Sequence, residues 1–98
     1  MSYTTIGSNR TITLLSGEEK VATSEWFRLP KDKVFSVSGI TTATVLIEYK
    51  THEDQSATTL ETFTSDGDKA NSDTLGFVRA RISAYTSGTI SVYCSIAE

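Results

Sequence analysis

The chain has 98 residues, enough for one domain around one core. Its net charge of −3 and pI of about 5.1 argue against a general nucleic-acid binder, which would carry a basic stripe, and no apolar run is long enough to span a bilayer. One cysteine excludes an internal disulfide framework. With roughly 30% Ser plus Thr, and with Val, Ile, Tyr and Phe at regular spacing, the chain is expected to fold into strands with polar, lightly charged faces.

Residues 1–9 are polar and mostly small, and read as a flexible tail or as an extended arm of the kind that orders against a partner; they lack the apolar core of a signal peptide. Residues 10–98 are expected to form the domain. Arg10 to Leu15 alternates Ile12 and Leu14 against Thr11 and Thr13, the period of two that marks a strand. Ser16-Gly17-Glu18-Glu19 reads as a turn, and Lys20 to Thr23 as a second short strand or part of a connection. In Glu25 to Leu29 the simplest arrangement sends Phe27 and Leu29 inward and lays Trp26 over a sheet edge. Pro30-Lys31-Asp32-Lys33 is a polar turn, with Pro fixing the backbone angle.

Val34 to Ser38 is a strand with Phe35 and Val37 on one face, and Gly39 is expected to break it. Ala43 to Thr51 is a stronger strand, with Val45, Ile47 and Tyr49 on one face and Thr44, Leu46, Glu48 and Lys50 on the other. After a polar loop, His52 to Ser56, the segment Ala57 to Thr64 is strand-like, but Leu60 and Phe63 fall on opposite faces. A bulge between them, or an edge position, would reconcile the two. Ser65 to Asp68 reads as a turn and Lys69 to Thr74 as a polar loop.

The most regular stretch is Gly76 to Ile96. Val78, Ala80, Ile82 and Ala84 alternate with Phe77, Arg79, Arg81, Ser83 and Tyr85. Beyond Thr86-Ser87-Gly88, the residues Ile90, Val92, Cys94 and Ile96 alternate with Thr89, Ser91, Tyr93 and Ser95. Read as a long C-terminal hairpin, the apolar sets share a side only if Ala84 faces Ile90 and Ile82 faces Val92, with Gly88 closing a three-residue loop. That register sets Arg81 across from Tyr93. The expected fold is therefore all-β: a small antiparallel β-sandwich, jelly-roll-like or Ig-like, of about seven strands and without helices.

No catalytic constellation emerges. His52, the sole histidine, sits in an acidic loop without a nucleophile in a recognisable motif, and Cys94 points inward by alternation. Asp66, Asp68, Asn71 and Asp73 put several oxygens close in sequence and form a weak calcium candidate, but without EF-hand spacing and with the composition of an ordinary turn. The aromatic residues Trp26, Tyr49, Tyr85 and Tyr93 would suit sugar stacking if they converged. Arg79, Arg81, Tyr85 and Tyr93, with Trp26, form the candidate contact surface, because Arg, Tyr and Trp are the types enriched at interfaces. No cofactor is implied.

The segment SVSGITTATVLIEYKT, followed by TLGFVRARISAYTSGTISVYCS, resembles the small all-β virion proteins of tailed bacteriophages. The shared pattern is a strand ending in Ser38-Gly39, a long alternating strand over Ala43–Thr51, then Phe77–Tyr85 carrying Arg79 and Arg81, and a turn through Ser87-Gly88 into Thr89–Ile96. The likeness spans roughly the last 60 residues. It implies a non-enzymatic virion part assembled in the host cytoplasm. The most fitting such part is a capsid decoration (cement) protein, often trimeric, bound to the major capsid protein with help from an N-terminal arm. The alternative it implies is a receptor- or carbohydrate-binding domain of a phage fibre. Neither role calls for nucleic acid or a membrane as partner.

Overall fold

Two strands carry the molecule, and every other strand pairs with one of them. The structure is a computed structural model describing residues 9–72 and 76–97. The strands are β1 (Asn9–Glu18), β2 (Ala22–Thr23), β3 (Phe27–Leu29), β4 (Lys33–Lys50), β5 (Thr58–Phe63), β6 (Gly67–Asn71) and β7 (Gly76–Ala97). All pairings are antiparallel: β7 carries β1, β2 and β3 on one side and β4 on the other, and β4 carries β5 and β6 on its far side. The all-β, seven-strand antiparallel architecture is as the sequence leads one to expect, and the described residues contain no helix. The proposed arm falls largely on residues 1–8, outside the described residues.

A straight strand of 22 residues would reach about 70 Å, yet the longest dimension of the molecule is 42 Å. Both long strands therefore bend. One layer consists of β1, the C-terminal half of β7, the N-terminal half of β4, and β6. The other consists of β2, β3, the N-terminal half of β7, the C-terminal half of β4, and β5. The inner faces meet in one core that includes Phe35, Val37, Val92 and Cys94 from the first layer and Val45, Ile47, Val78 and Ile82 from the second. Most of these are 0% exposed. With no helix to cover it, a sheet face can be that dry only if the two halves cover each other, so the fold is a β-sandwich whose corner strands pass through both layers.

The C-terminal region is thus long and β-structured, but it does not fold back on itself. Ile82 pairs with Val45 and Ala22, not Val92; Arg81 pairs with Leu46 and Thr23, not Tyr93; and Tyr93 lies between Ser36 and Thr13 in the other layer. The segment 86–88 is a bend in one strand. Likewise Gly39 does not end a strand: it is the matching bend in β4. Between the pairs Ser38/Ser91 and Val45/Ile82 the ladder shifts register repeatedly, with seven residue steps on β4 against nine on β7. The excess is even, so inner and outer faces return to phase on both strands after the corner.

The corner brings backbones into direct contact. Gly39 has φ of 85° and Gly88 of 128°. A Cβ on Gly39 would overlap the Thr89 carbonyl oxygen, and one on Gly88 would overlap the Gly39 carbonyl oxygen. The Asp66 carboxylate closes the bend, accepting the Gly39 N–H at 3.1 Å and the Ile40 N–H at 2.8 Å.

Other segments follow their local chemistry. The expected turn at Ser16–Glu19 is instead a bulged continuation of β1, where Gly17 adopts φ of 60° and its N–H reaches the Ser91 hydroxyl at 3.0 Å. In β5 the register shifts so that Ile47 faces Glu61 and Glu48 faces Thr59; Leu60 is the bulged residue, which lets both Leu60 and Phe63 approach the core as expected. The stretch expected to be turn and loop, 65–74, contains β6. This edge strand, exposed along most of its length, has no apolar alternation to reveal it. Lys33 opens β4 facing inward, its ammonium donating to the Pro30 and Lys31 carbonyls of the preceding turn.

Replacing Gly39 with Ala should abolish cooperative folding, a loss above about 4 kcal/mol, because the obstacle is backbone and cannot swing away. Asp66→Ala leaves two corner N–H groups without their acceptor and should cost about 1–3 kcal/mol, read as a lower urea midpoint at an unchanged slope.

Candidate functional site

The outward residues of the two central strands meet on the second layer. Glu48 lies opposite Arg79 and diagonal to Arg81. Arg79 Nε donates to Glu48 Oε1 at 2.8 Å, and Arg81 Nη2 donates to Oε2 at 3.1 Å, so one carboxylate holds two guanidinium groups. The carboxylate side is 8% exposed, whereas the arginines are 26% and 37% exposed. Burial by itself pushes the Glu48 carboxyl up, but the hydrogen bonds from Arg81 and Arg79 and their charges together outweigh it and hold the pKa below the ordinary glutamate value.

Trp26 lies against the same group. The Arg79 guanidinium is 4.5 Å and the Lys50 ammonium 4.6 Å from its ring centroid, and Lys50 is also 5.8 Å from the Phe77 ring. The approach of this segment is fixed by Ser24, whose N–H donates to the Ala80 carbonyl at 2.8 Å and whose hydroxyl accepts the Ala80 N–H at 2.9 Å. Phe77 pairs with Lys50 on one side and with the exposed Arg28 on the other. The arrangement can bind; it offers charged donors and aromatic edges on an extended sheet face, with no activated nucleophile beside a base.

Of the five expected contact residues, the structure brings Trp26, Arg79 and Arg81 together. Tyr85 stands at the corner, where its hydroxyl donates to the Gly88 carbonyl at 2.7 Å and its ring packs on the core. Tyr93 is on the outer face of the first layer among Thr and Ser. Sequence reasoning missed Glu48, Lys50 and Phe77 as members of the group. The alternation of Ala43–Thr51 already turned Glu48 and Lys50 outward, but nothing in it named β7 as their neighbour.

The calcium candidates do not assemble. Both Asp66 oxygens are engaged at the corner. Asp68 and Asn71 are three positions apart on β6, hence on opposite faces, and Asp73 lies outside the described residues. Among the described residues no three of His, Cys, Asp and Glu cluster as a metal site. His52 is exposed in its loop. Cys94 is fully buried and its thiol is pushed up to about 11 by desolvation, against a small opposing effect of the Lys33 charge. No protein-family profile, curated protein or solved structure matches this chain.

Glu48→Gln should destabilise the fold by about 1–3 kcal/mol near neutral pH, by weakening two charge-assisted bonds to a buried group. The folded pKa is depressed, so the contribution is complete above the ordinary value of 4.5 and is lost as pH falls through the lower folded value. Urea midpoints for wild type and Glu48→Gln should therefore converge in acid. The Cys94 thiol should ignore an aromatic disulfide reagent at pH 8 in the native protein and react fully in denaturant.

Proposed function

We propose that this chain is a non-enzymatic structural protein of a tailed-bacteriophage virion, a capsid decoration protein that binds and braces the major capsid lattice. The observation that supports this best is the Arg79–Glu48–Arg81 group with Trp26, Lys50 and Phe77. Its polar chemistry is spread over an outer sheet face, where a broad protein surface can meet it. Arg and Trp at the centre of such a face are the residue types that dominate binding at protein interfaces.

The scaffold suits a bracing role. It is broad and thin, 42 × 41 × 17 Å, and its layers are tied through two continuous strands, so force on one face is carried by backbone as well as packing. In this reading the protein acts as a homotrimer, and each copy adds a modest contact that the symmetry of the lattice multiplies. A sugar-binding fibre domain is the weaker reading, because it needs free aromatic platforms that converge. Trp26 already carries two cations, and Tyr85 and Tyr93 lie elsewhere.

The test is co-sedimentation of the purified protein with empty expanded capsids of the phage that encodes it, alongside its solution mass by light scattering. Expected are saturable binding at a copy number set by the lattice, a higher capsid melting temperature, and a mass three times the 10.7 kDa of the chain. Protein that stays in the supernatant at every concentration would overturn the capsid assignment.

A further inference from the structure

We propose that the outer face of the second layer docks a compact acidic patch on the surface of a partner protein. This names the contact face and partner chemistry of the lattice-binding role and takes its biological setting from that reading. The face itself stands on geometry.

Four cations point outward from this layer, namely Arg28, Lys50, Arg79 and Arg81; Glu48 is paired among them, and Glu53 borders the face beside Arg28 and Phe77, its carbonyl accepting from the Lys50 ammonium at 3.2 Å. With Glu48 and Glu53 counted, the face has a net charge of +2 in a chain whose total is −3, so the rest of the chain carries −5. Such segregation is a field with a direction, and it selects an anionic partner on this side. The arginines are also prepared for it. Glu48 takes the Nε–H of Arg79 and one Nη2–H of Arg81, and the remaining guanidinium N–H groups belong to partly exposed side chains. Held in place, these groups lose little rotamer freedom when a carboxylate arrives. Lys50 and Phe77 extend the face beside Trp26, so a partner gains apolar area along with charge.

The same electrostatics chooses among anions. A long polyanion such as duplex nucleic acid would run off a face this size onto the acidic remainder of the chain. Screening over about 8 Å at physiological salt leaves a compact acidic patch attracted to the face and largely blind to the rest. The chain's own exposed carboxylates among the described residues, Glu19, Glu25, Asp32, Glu53, Asp54, Asp66 and Asp68, are spread over separate segments and offer no single matching plate to a second copy.

The experiment titrates the full chain with short-chain poly-L-glutamate, too short to run past the face, at low salt. Trp26, the sole tryptophan, serves as a fluorescent reporter within the face. The comparison protein is the double variant Arg28→Glu, Lys50→Glu. Neither cation bonds to Glu48, but Lys50 lies over Trp26 and Phe77 and donates to the Glu53 carbonyl, so a urea midpoint checks the fold and the single variant Arg28→Glu, which leaves those contacts in place, repeats the test. Expected are saturable binding, weakening with added NaCl, and a loss of roughly tenfold or more in the double variant. Equal binding by the two proteins, no binding by wild type, or tighter binding to duplex DNA or heparin than to polyglutamate would overturn the proposal. So would self-association of wild type that the double variant loses, because the occupant would then be a second copy. Capsid co-sedimentation separates the two readings. If the double variant still binds capsids, the face is misassigned and lattice binding stands. If polyglutamate binds at the face but capsids do not, the acidic-partner face stands and the lattice reading falls.

Discussion

The pairing of β4 with β7 through a shared bend is the constraint on which the structure rests. Among the described residues these are the strands common to both layers, and each outer strand is registered on one of them. The bend works because Gly39 and Gly88 bring backbone against backbone with no side chain between, and because Asp66 receives the N–H groups that the distorted ladder leaves over. A fault there would not loosen a loop. It would misalign both ladders together, and with them the two inner faces that must interlock at the density of a packed core.

The same central pair explains why the charged group sits where it does. Residues in the middle of a sheet have neighbours on both sides, so an outward carboxylate at Glu48 can be enclosed by Arg79 and Arg81 until it is nearly buried, with the arginines still open to solvent. An edge strand offers half as many neighbours. The outer face of the first layer is built on the other halves of the same strands, yet it carries Thr13, Tyr93, Ser36 and Asp68 across its central row and forms no comparable group. The two outer faces differ in electrostatics and not in backbone architecture.

Alternation in the sequence is a guide to which way side chains point away from the corner and a poor one to which strand lies alongside. It fails at the corner itself, where Ala84 is exposed and pairs with Thr44 instead of Ile90 while Tyr85 packs on the core. Val78, Ala80 and Ile82 before the bend, and Ile90, Val92 and Cys94 after it, are inward as read. A hairpin with a three-residue loop keeps that parity, and so does one strand that gains an even number of residues at a corner. The apolar pattern cannot separate them. The hairpin reading followed from treating Ser87-Gly88 as a turn, when the close approach of Gly39 was the reason for the glycine. The conflict between Leu60 and Phe63 did announce its bulge, because two core residues out of phase leave few solutions. β6 announced nothing, since an edge strand exposed along most of its length carries no apolar alternation. Glu48 was legible as outward and illegible as a partner of Arg79, because that depends on a contact between residues 31 apart.

The position of Glu48 joins stability to recognition. A guanidinium on an ordinary surface samples many rotamers, and binding must restrain it at a cost of about 0.5–1.5 kcal/mol per side chain. Here the restraint is already present in the folded state, because orienting Arg79 and Arg81 is what satisfies a carboxylate that would otherwise be buried without partners. The fold's need to pair Glu48 and the face's need for ordered donors are met by the same two bonds. It follows that Arg81→Glu, the obvious charge reversal, cannot probe recognition alone. It sets a second acid against Glu48, and any loss of binding would be mixed with a loss of fold. Arg28 stands outside those bonds and outside the contacts that Lys50 makes with Trp26 and Phe77, and there the charge of the face can be changed while its architecture is kept.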